Sequence, residues 1–188
     1  MQRDGIIGYG EAAPNVRYGE NAELTTQRLN EAAHILKDHD LNHYIDIKEA
    51  IDSAISDQSC AKAALDIAMM DWVGKSIGVP LYKLWGLNTA HSPATSFSIG
   101  IDTPEVIKQK VAEAAPYRIL KIKVGTKDDE MIVKTVRSVT DKPIRVDANE
   151  GWKTKEEAIK KIEWLANQGV EFVEQPMPSN MLEETAWL

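Results

Sequence analysis

Three short apolar segments of the chain each end in side chains suited to acid–base or metal chemistry. The segments are residues 119–125, 144–149 and 171–176. Their polar residues of interest, in chain order, are Lys121, Lys123, Asp147, Asn149 and Glu174. If the segments lie side by side, an amine base would stand next to two carboxylates that can share a metal ion. Such a group can remove a proton from the carbon beside a carboxylate.

Lys121 and Lys123 are two residues apart, so on a strand their side chains lie on the same face. Two ammonium groups so close repel each other, and we expect this repulsion to lower the pKa of at least one of them. A lysine whose pKa is lowered toward neutrality can act as a general base. The pair would also favour an anionic substrate.

Asp147 and Glu174 are the candidate metal ligands. Carboxylates on neighbouring strands can share a hard divalent cation, and oxygen ligands favour Mg²⁺ over zinc. A metal ion held there would stabilise the enediolate that forms when a substrate carboxylate loses its α-proton.

Each of these residues also has a simpler interpretation. The two lysines could be solvated side chains at the end of a strand. Asp147 could do no more than cap the turn formed with Asn149, because Asp and Asn favour such turns. Glu174 has fewer structural explanations, since a buried carboxylate needs a partner.

The spacing of the segments predicts how they are arranged. Lys121, Asp147 and Glu174 follow one another at intervals of 26 and 27 residues, with helical patterns over 128–139 and 154–168 between them. This regular β-α-β-α-β order indicates parallel strands with right-handed crossovers. The carboxyl ends of such strands meet at one edge, where ligands bind. With a β-rich segment at 95–101, four strands are predicted, enough to begin an eight-stranded barrel but not to close one.

The first half of the chain has a different pattern. A glycine-rich segment at 5–13 predicts a strand, and apolar spacing predicts helices over 22–38, 46–55 and 60–77. A lone strand is not stable, so its partners are expected from sequence upstream. A polar linker at 88–93 separates this region from the strands. We therefore expect domains at 1–93 and 94–188, and a chain that is a fragment at both ends.

Composition excludes several classes of protein. The formal net charge of the 188 residues is -7, so no electrostatic footprint for nucleic acid or anionic lipid is expected. No apolar run approaches the length of a membrane-spanning helix. The one cysteine, Cys60, cannot form an internal disulfide, which favours a reducing compartment, and the cytoplasm is the expected location.

The sequence resembles the muconate-lactonising branch of the enolase superfamily over nearly all of its length. The motifs that carry the resemblance are Lys121-Ile-Lys123, Asp147-Ala-Asn149, Glu174-Gln-Pro176, the helix segment Ala64–Lys75, and Gly78-Val-Pro80 followed by Leu84-Trp-Gly86. The resemblance implies an α/β fold, with an α+β capping domain at 1–93 followed by the first four βα units of a TIM-like (β/α) barrel.

The resemblance also implies a role for each matched residue. Lys123 would be the base on one face of the substrate, and Lys121 would tune it and touch the substrate carboxylate. Asp147 and Glu174 would be two of three ligands to Mg²⁺. The third ligand and the lysine on the opposite face belong to later strands of the family's barrel. The full-length protein is expected to be a homo-oligomer.

Within this branch, residues 147–152 resemble dipeptide epimerases, which invert a stereocentre in dipeptides such as Ala-Glu. The implied activity is that of an isomerase acting on a small carboxylate substrate. Arg17, which could meet an acidic side chain, and Asn149 are further candidates for substrate contacts. The alternatives are a lyase or cycloisomerase of the same branch, such as an o-succinylbenzoate synthase or a muconate cycloisomerase, and an inactive truncated fragment.

Overall fold

The computed structural model describes all residues from Met1 to Leu188, and the chain divides into two compact units, Met1–Ser92 and Pro93–Leu188. The strands are β1 (Gln2–Arg3), β2 (Ile6–Ile7), β3 (Ser96–Ile99), β4 (Ile119–Lys123), β5 (Ile144–Asp147) and β6 (Val170–Glu174). The helices are α1 (Ala22–Asp38), α2 (Tyr44–Ala54), α3 (Ser59–Ser76), α4 (Leu81–Leu84), α5 (Pro104–Glu113), α6 (Asp129–Arg137), α7 (Lys155–Asn167) and α8 (Leu182–Trp187). None of these helices is both long and apolar enough to cross a membrane.

The first unit packs the β1–β2 hairpin and helices α1 to α3 around one core. Helix α3 is at its centre, with buried side chains on several sides. The core residues are Ala32, Ile35, Leu36, Leu41, Ile47, Ile51, Ile55, Ala61, Leu65, Met69, Met70, Trp72 and Val73. Most of them follow the apolar spacing that predicted the three helices, because one face of each helix must be buried for it to be stable in water.

The predicted strand over 5–13 is wrong in two respects. Only Ile6–Ile7 is a strand, and its partner is local, because β1 pairs with it in antiparallel register. Beyond β2 the chain runs along α3 rather than along another strand. The backbone N–H of Tyr9 donates to Asp71 Oδ2 at 2.8 Å, and a Cβ atom on Gly8 would lie 2.1 Å from the carbonyl oxygen of Ala68. The glycine therefore serves close packing on a helix.

The second unit is a parallel sheet in the order β3-β4-β5-β6, with a helix between each pair of strands. Along β4 the side chains alternate, so that Leu120 and Ile122 are fully buried while Lys121 and Lys123 are only partly covered. Leu120 and Ile122 join a core formed largely by strand and helix residues of this unit. The lysines therefore point to the opposite face of the sheet.

Arg137, at the end of α6, ties the amino-terminal side of this sheet together. Its guanidinium donates to the carbonyl oxygens of Lys142 at 2.7 Å, Gln168 at 2.8 Å and Gly169 at 2.9 Å. These carbonyls belong to the turns that lead into β5 and β6. A planar group with several fixed donors suits this arrangement.

Two glycines lock together the turns that follow β4 and β5. Gly125 has φ 99°, and a Cβ atom there would lie 2.1 Å from the carbonyl oxygen of Ala148. A Cβ atom on Gly151 would lie 2.4 Å from the carbonyl oxygen of Gly125. Only residues without a side chain allow the two backbones to approach this closely.

We predict that Gly125→Ala lowers the free energy of unfolding by about 3 kcal/mol, because it combines backbone strain with overpacking. Gly100→Ala is the matched control, since Gly100 follows β3 and has no atom within 4 Å of its added Cβ. The control should change stability by less than about 0.5 kcal/mol. Urea unfolding followed by tryptophan fluorescence measures both, and equal effects would contradict the predicted lock.

Candidate active site

The candidate residues meet at the carboxyl edge of the parallel sheet. Lys123 is the register partner of Asp147, and Asp147 is the register partner of Glu174, so the last residues of β4, β5 and β6 form one row. Lys121 lies two residues before Lys123 on the same face. The alternation of β4 dictates this placement, because its apolar residues are buried on the other face.

Four charged side chains at this edge, Lys121 and the three residues of the row, are linked by ion pairs. Lys121 Nζ lies between two carboxylates, 2.6 Å from Glu174 Oε2 and 3.0 Å from Asp147 Oδ2. Lys123 Nζ donates to Asp147 Oδ2 at 2.7 Å and to Asn149 Oδ1 at 2.9 Å. The side chain of Asp147 is 2% exposed, whereas that of Glu174 is 43% exposed. The structure therefore brings together five of the six site residues singled out from the sequence.

Arg17, the sixth, lies in the other unit. It is part of the short 3-10 helix Val16–Tyr18, which is exposed and begins with Asn15 as its cap. Its role as a substrate contact stays a prediction.

The charges around Asp147 decide its ionisation. Burial raises the pKa of this carboxyl group, but hydrogen bonds from Lys123, from Lys121 and from the backbone N–H of Asn149 outweigh burial and hold the pKa below its ordinary value. Asp147 is therefore a carboxylate at neutral pH. An ionised, buried oxygen facing a site is what a hard cation requires.

The lowered pKa that was expected for at least one of the two lysines does not occur at Lys121. Its hydrogen bond to Glu174 raises its pKa, and Asp147 adds to this effect, which outweighs partial burial. The reason is that two carboxylates contact Lys121 directly, and their attraction outweighs repulsion from the other lysine. Lys121 is held as an ammonium ion.

The turns after β5 and β6 contain residues in the left-handed backbone region, next to the charged side chains of the site. Asn149 and Glu150 have φ values of 45° and 64°, and Gln175 in the turn after β6 has φ 46°. The backbone N–H of Asn149 donates to Asp147 Oδ1 at 3.0 Å, and that of Glu150 donates to the carbonyl oxygen of Gln175 at 2.8 Å. Asp147 thus forms the predicted Asx turn with one oxygen and binds lysines with the other. Residues other than glycine rarely adopt this conformation, so the surrounding hydrogen bonds must hold it.

The residues present fit part of a metal site. The structure has no group of three or more His, Cys, Asp or Glu side chains placed to hold a metal ion. Asp147 and Glu174 nevertheless present oxygens that share one cationic atom, Lys121 Nζ, at 3.0 and 2.6 Å. This pair of hard donors around one positive charge suits a divalent cation completed by other ligands.

Two contacts at this edge had no counterpart among the sequence predictions, although Trp152 itself was expected in a loop after a strand, either packed or touching substrate. Gln175 contributes the acceptor Oε1 for the amide of Asn149 at 3.4 Å, and Trp152, in the turn after β5, is 1% exposed. The indole of Trp152 donates to Asp129 Oδ2 at 2.9 Å. The only signal in the sequence was an acidic residue at the start of α6, which is common in helices without any link to a site.

Comparison with known proteins agrees with this fold. Residues 1–86 match the family model of the mandelate racemase/muconate lactonizing enzyme N-terminal domain, and residues 105–188 match that of the enolase C-terminal domain-like family. The L-Ala-D/L-Glu epimerase of Bacteroides thetaiotaomicron is 43% identical over 100% of this chain and 49% of its own length. An L-Ala-D/L-amino acid epimerase of Pedosphaera parvula is 42% identical over 99% of this chain and 54% of its own length.

A solved structure shows the same architecture. The dipeptide epimerase of Methylococcus capsulatus, complexed with a Mg ion, superposes with a TM-score of 0.82 at 25% identity and covers 100% of this chain and 56% of its own. The chain thus spans about half the length of the curated relatives that it matches. It consists of a capping domain followed by parallel β/α units of an enolase-type barrel, and it belongs to the mandelate racemase/muconate lactonizing enzyme group of the enolase superfamily, with dipeptide epimerases among its relatives.

Proposed function

We propose that the protein represented by this chain is a Mg²⁺-dependent epimerase that removes and returns the proton α to the carboxylate of a dipeptide. The observation that carries the proposal is a cluster of ion pairs, in which Lys123 contacts Asp147 and Lys121 lies between Asp147 and Glu174. The 43% identity to an L-Ala-D/L-Glu epimerase supports the reaction and the substrate class. Because the relatives are about twice as long as the matched region, the proposal concerns the full-length protein.

Lys123 is the proposed base. Its Nζ atom is fixed by Asp147 and Asn149 at 2.7 and 2.9 Å, and its side chain is 33% exposed at the open edge of the sheet. An ammonium has no lone pair, so Lys123 must lose a proton before it can accept one from the substrate. Two fixed acceptors hold the amine in one direction, and this orientation lowers the entropic cost of proton transfer.

Lys121 and the two carboxylates have the complementary task of binding charge. Asp147 and Glu174 would hold the ion, which supplies positive charge to stabilise the carboxylate of the substrate as its α-carbon loses a proton. Lys121, whose pKa is raised, remains positive and attracts the same carboxylate. Lys123 then removes the proton from one face of the α-carbon or returns it there, and inversion requires a second base on the opposite face.

The finer substrate assignment is a dipeptide with an acidic second residue, such as Ala-Glu. The relative with 43% identity acts on L-Ala-D/L-Glu by its name, and the one with 42% identity on L-Ala-D/L-amino acid dipeptides. Asn149 is proposed to orient the base near the substrate. A comparison of epimerisation rates on L-Ala-L-Glu and L-Ala-L-Val tells a preference for an acidic second residue from a preference for an apolar one.

We predict that Lys123→Ala in the full-length protein abolishes exchange of the α-proton with solvent deuterium. The measurement is proton NMR of L-Ala-L-Glu and L-Ala-D-Glu in deuterated buffer with MgCl₂. Lys108→Ala, which removes an exposed lysine of α5, is the control and should leave exchange unchanged. Retained exchange on both stereoisomers in the Lys123 variant would refute its role, and conversion to a dehydrated or cyclised product would indicate a lyase or cycloisomerase instead.

A second prediction concerns the metal ion. Asp147→Asn and Glu174→Gln should each weaken Mg²⁺ binding by about tenfold or more, a loss of at least about 1.4 kcal/mol. Titration calorimetry of the full-length protein with MgCl₂ measures this. Glu171→Gln is the matched control on the same strand, because its carboxylate pairs with Arg145 at 2.8 Å and not with the lysines. Unchanged Mg²⁺ affinity in both site variants would count against these ligands.

A further inference from the structure

Asp129, the first residue of α6, is a buried carboxylate outside the candidate site. Its side chain is 4% exposed. Oδ1 accepts from the backbone N–H groups of Gly125 at 2.9 Å and Thr126 at 2.7 Å, and from the Thr126 hydroxyl at 3.2 Å. Oδ2 accepts from Trp152 Nε1 at 2.9 Å and from Lys161 Nζ at 2.6 Å. Such a buried charge is tolerated only when it is fully paired, as it is here.

The donors to Asp129 come from three separate elements. Gly125 and Thr126 lie in the turn after β4, Trp152 lies in the turn after β5, and Lys161 lies on α7. Lys161 Nζ also donates to the carbonyl oxygen of Thr126 at 3.1 Å. Oδ1 holds the β4 turn itself, through the backbone N–H groups of Gly125 and Thr126. The second oxygen is used to join the β4 turn to the β5 turn.

These two turns continue directly from the residues of the candidate site. Lys123 is two residues before Gly125, and Asn149 is three residues before Trp152. The contact of Lys123 Nζ with Asn149 Oδ1, at 2.9 Å, therefore depends on the distance between the turns. A displacement of about 1 Å in such a contact can reduce a rate by about 100-fold.

We propose that Asp129 is a positioning residue, and that its hydrogen bond to Trp152 holds the β5 turn at the distance at which Asn149 and Asp147 orient Lys123. Asp129 does not touch the candidate base or the carboxylates of the site. The effect on catalysis rests on the proposed function, whereas the effect on the geometry of Lys123 does not.

The test without substrate is acylation of individual lysines, read by peptide mass spectrometry, in Trp152→Phe and Asp129→Asn. Trp152→Phe keeps an aromatic ring in the core and removes the indole donor together with part of the ring volume, and it serves if the Asp129 variant does not fold. Labelling of Lys123 should rise by about tenfold in each folded variant. Lys142, whose Nζ donates to the carbonyls of Ala114, Ala115 and Tyr117, reports general loosening and should keep its wild-type rate.

Asp102→Asn is the matched control variant. Asp102 also lies in a turn after a strand and pairs with a helical lysine, Lys110, at 3.3 Å, but it has no bond to the β4 or β5 turn. This variant should leave the labelling of Lys123 unchanged. Unchanged labelling of Lys123 in the folded Trp152 variant, or an equal rise at Lys142, would overturn the proposal.

The catalytic consequence is measured in the full-length protein. Trp152→Phe should lower kcat for α-proton exchange by about 10- to 100-fold with little change in KM, because the bound substrate meets a poorly oriented base. A variant with higher Lys123 labelling and wild-type kcat would contradict the positioning role. If the wild-type protein exchanges no dipeptide proton, the proposed function fails, while the labelling result still decides whether Asp129 positions Lys123.

Discussion

The carboxylate of Asp147 is the constraint on which the rest of the site depends. It is 2% exposed and lies 2.7 Å from one ammonium group and 3.0 Å from another. A buried charge of this kind is destabilising unless it is paired. Moving either lysine away from Asp147 would therefore cost free energy, which holds both lysines in place. The same constraint keeps the carboxylate ionised, because the hydrogen bonds that it accepts outweigh burial. The hydrogen bonds that make this buried carboxylate tolerable therefore also keep it ionised.

The distribution of charge also separates the two lysines. Lys121 lies between Asp147 and Glu174 and is held positive, with a raised pKa. Lys123 donates to only one of these carboxylates, that of Asp147, and its second acceptor is the neutral amide oxygen of Asn149. Lys121 and Lys123 thus have different surroundings, because their side chains reach different residues at the ends of β5 and β6. This difference in surroundings is the reason why the proposed function gives charge binding to Lys121 and proton transfer to Lys123.

Precision at this edge comes from the turns beyond the strands. The backbones of the β4 and β5 turns approach so closely at Gly125 and Gly151 that neither tolerates a side chain. Asp129 then joins the same two turns through Trp152. A sheet fixes where a strand ends, but it leaves the direction of the next side chains open. Here the turns are held by steric contact and by a buried ionic hydrogen-bond network, which together restrict that freedom.

The sequence by itself determined the helices, the parallel order of the strands and the residues at their ends, because these follow from local apolar spacing and regular intervals. It failed for residues 8–13, where contact with α3 replaced strand pairing. It also contained no specific signal for the raised pKa of Lys121, whose partner Glu174 is 53 residues away, or for the bond between Asp129 and Trp152, which spans 23 residues. Only the tertiary structure decided these contacts, since strand register and turn packing set side-chain distances that no local pattern encodes.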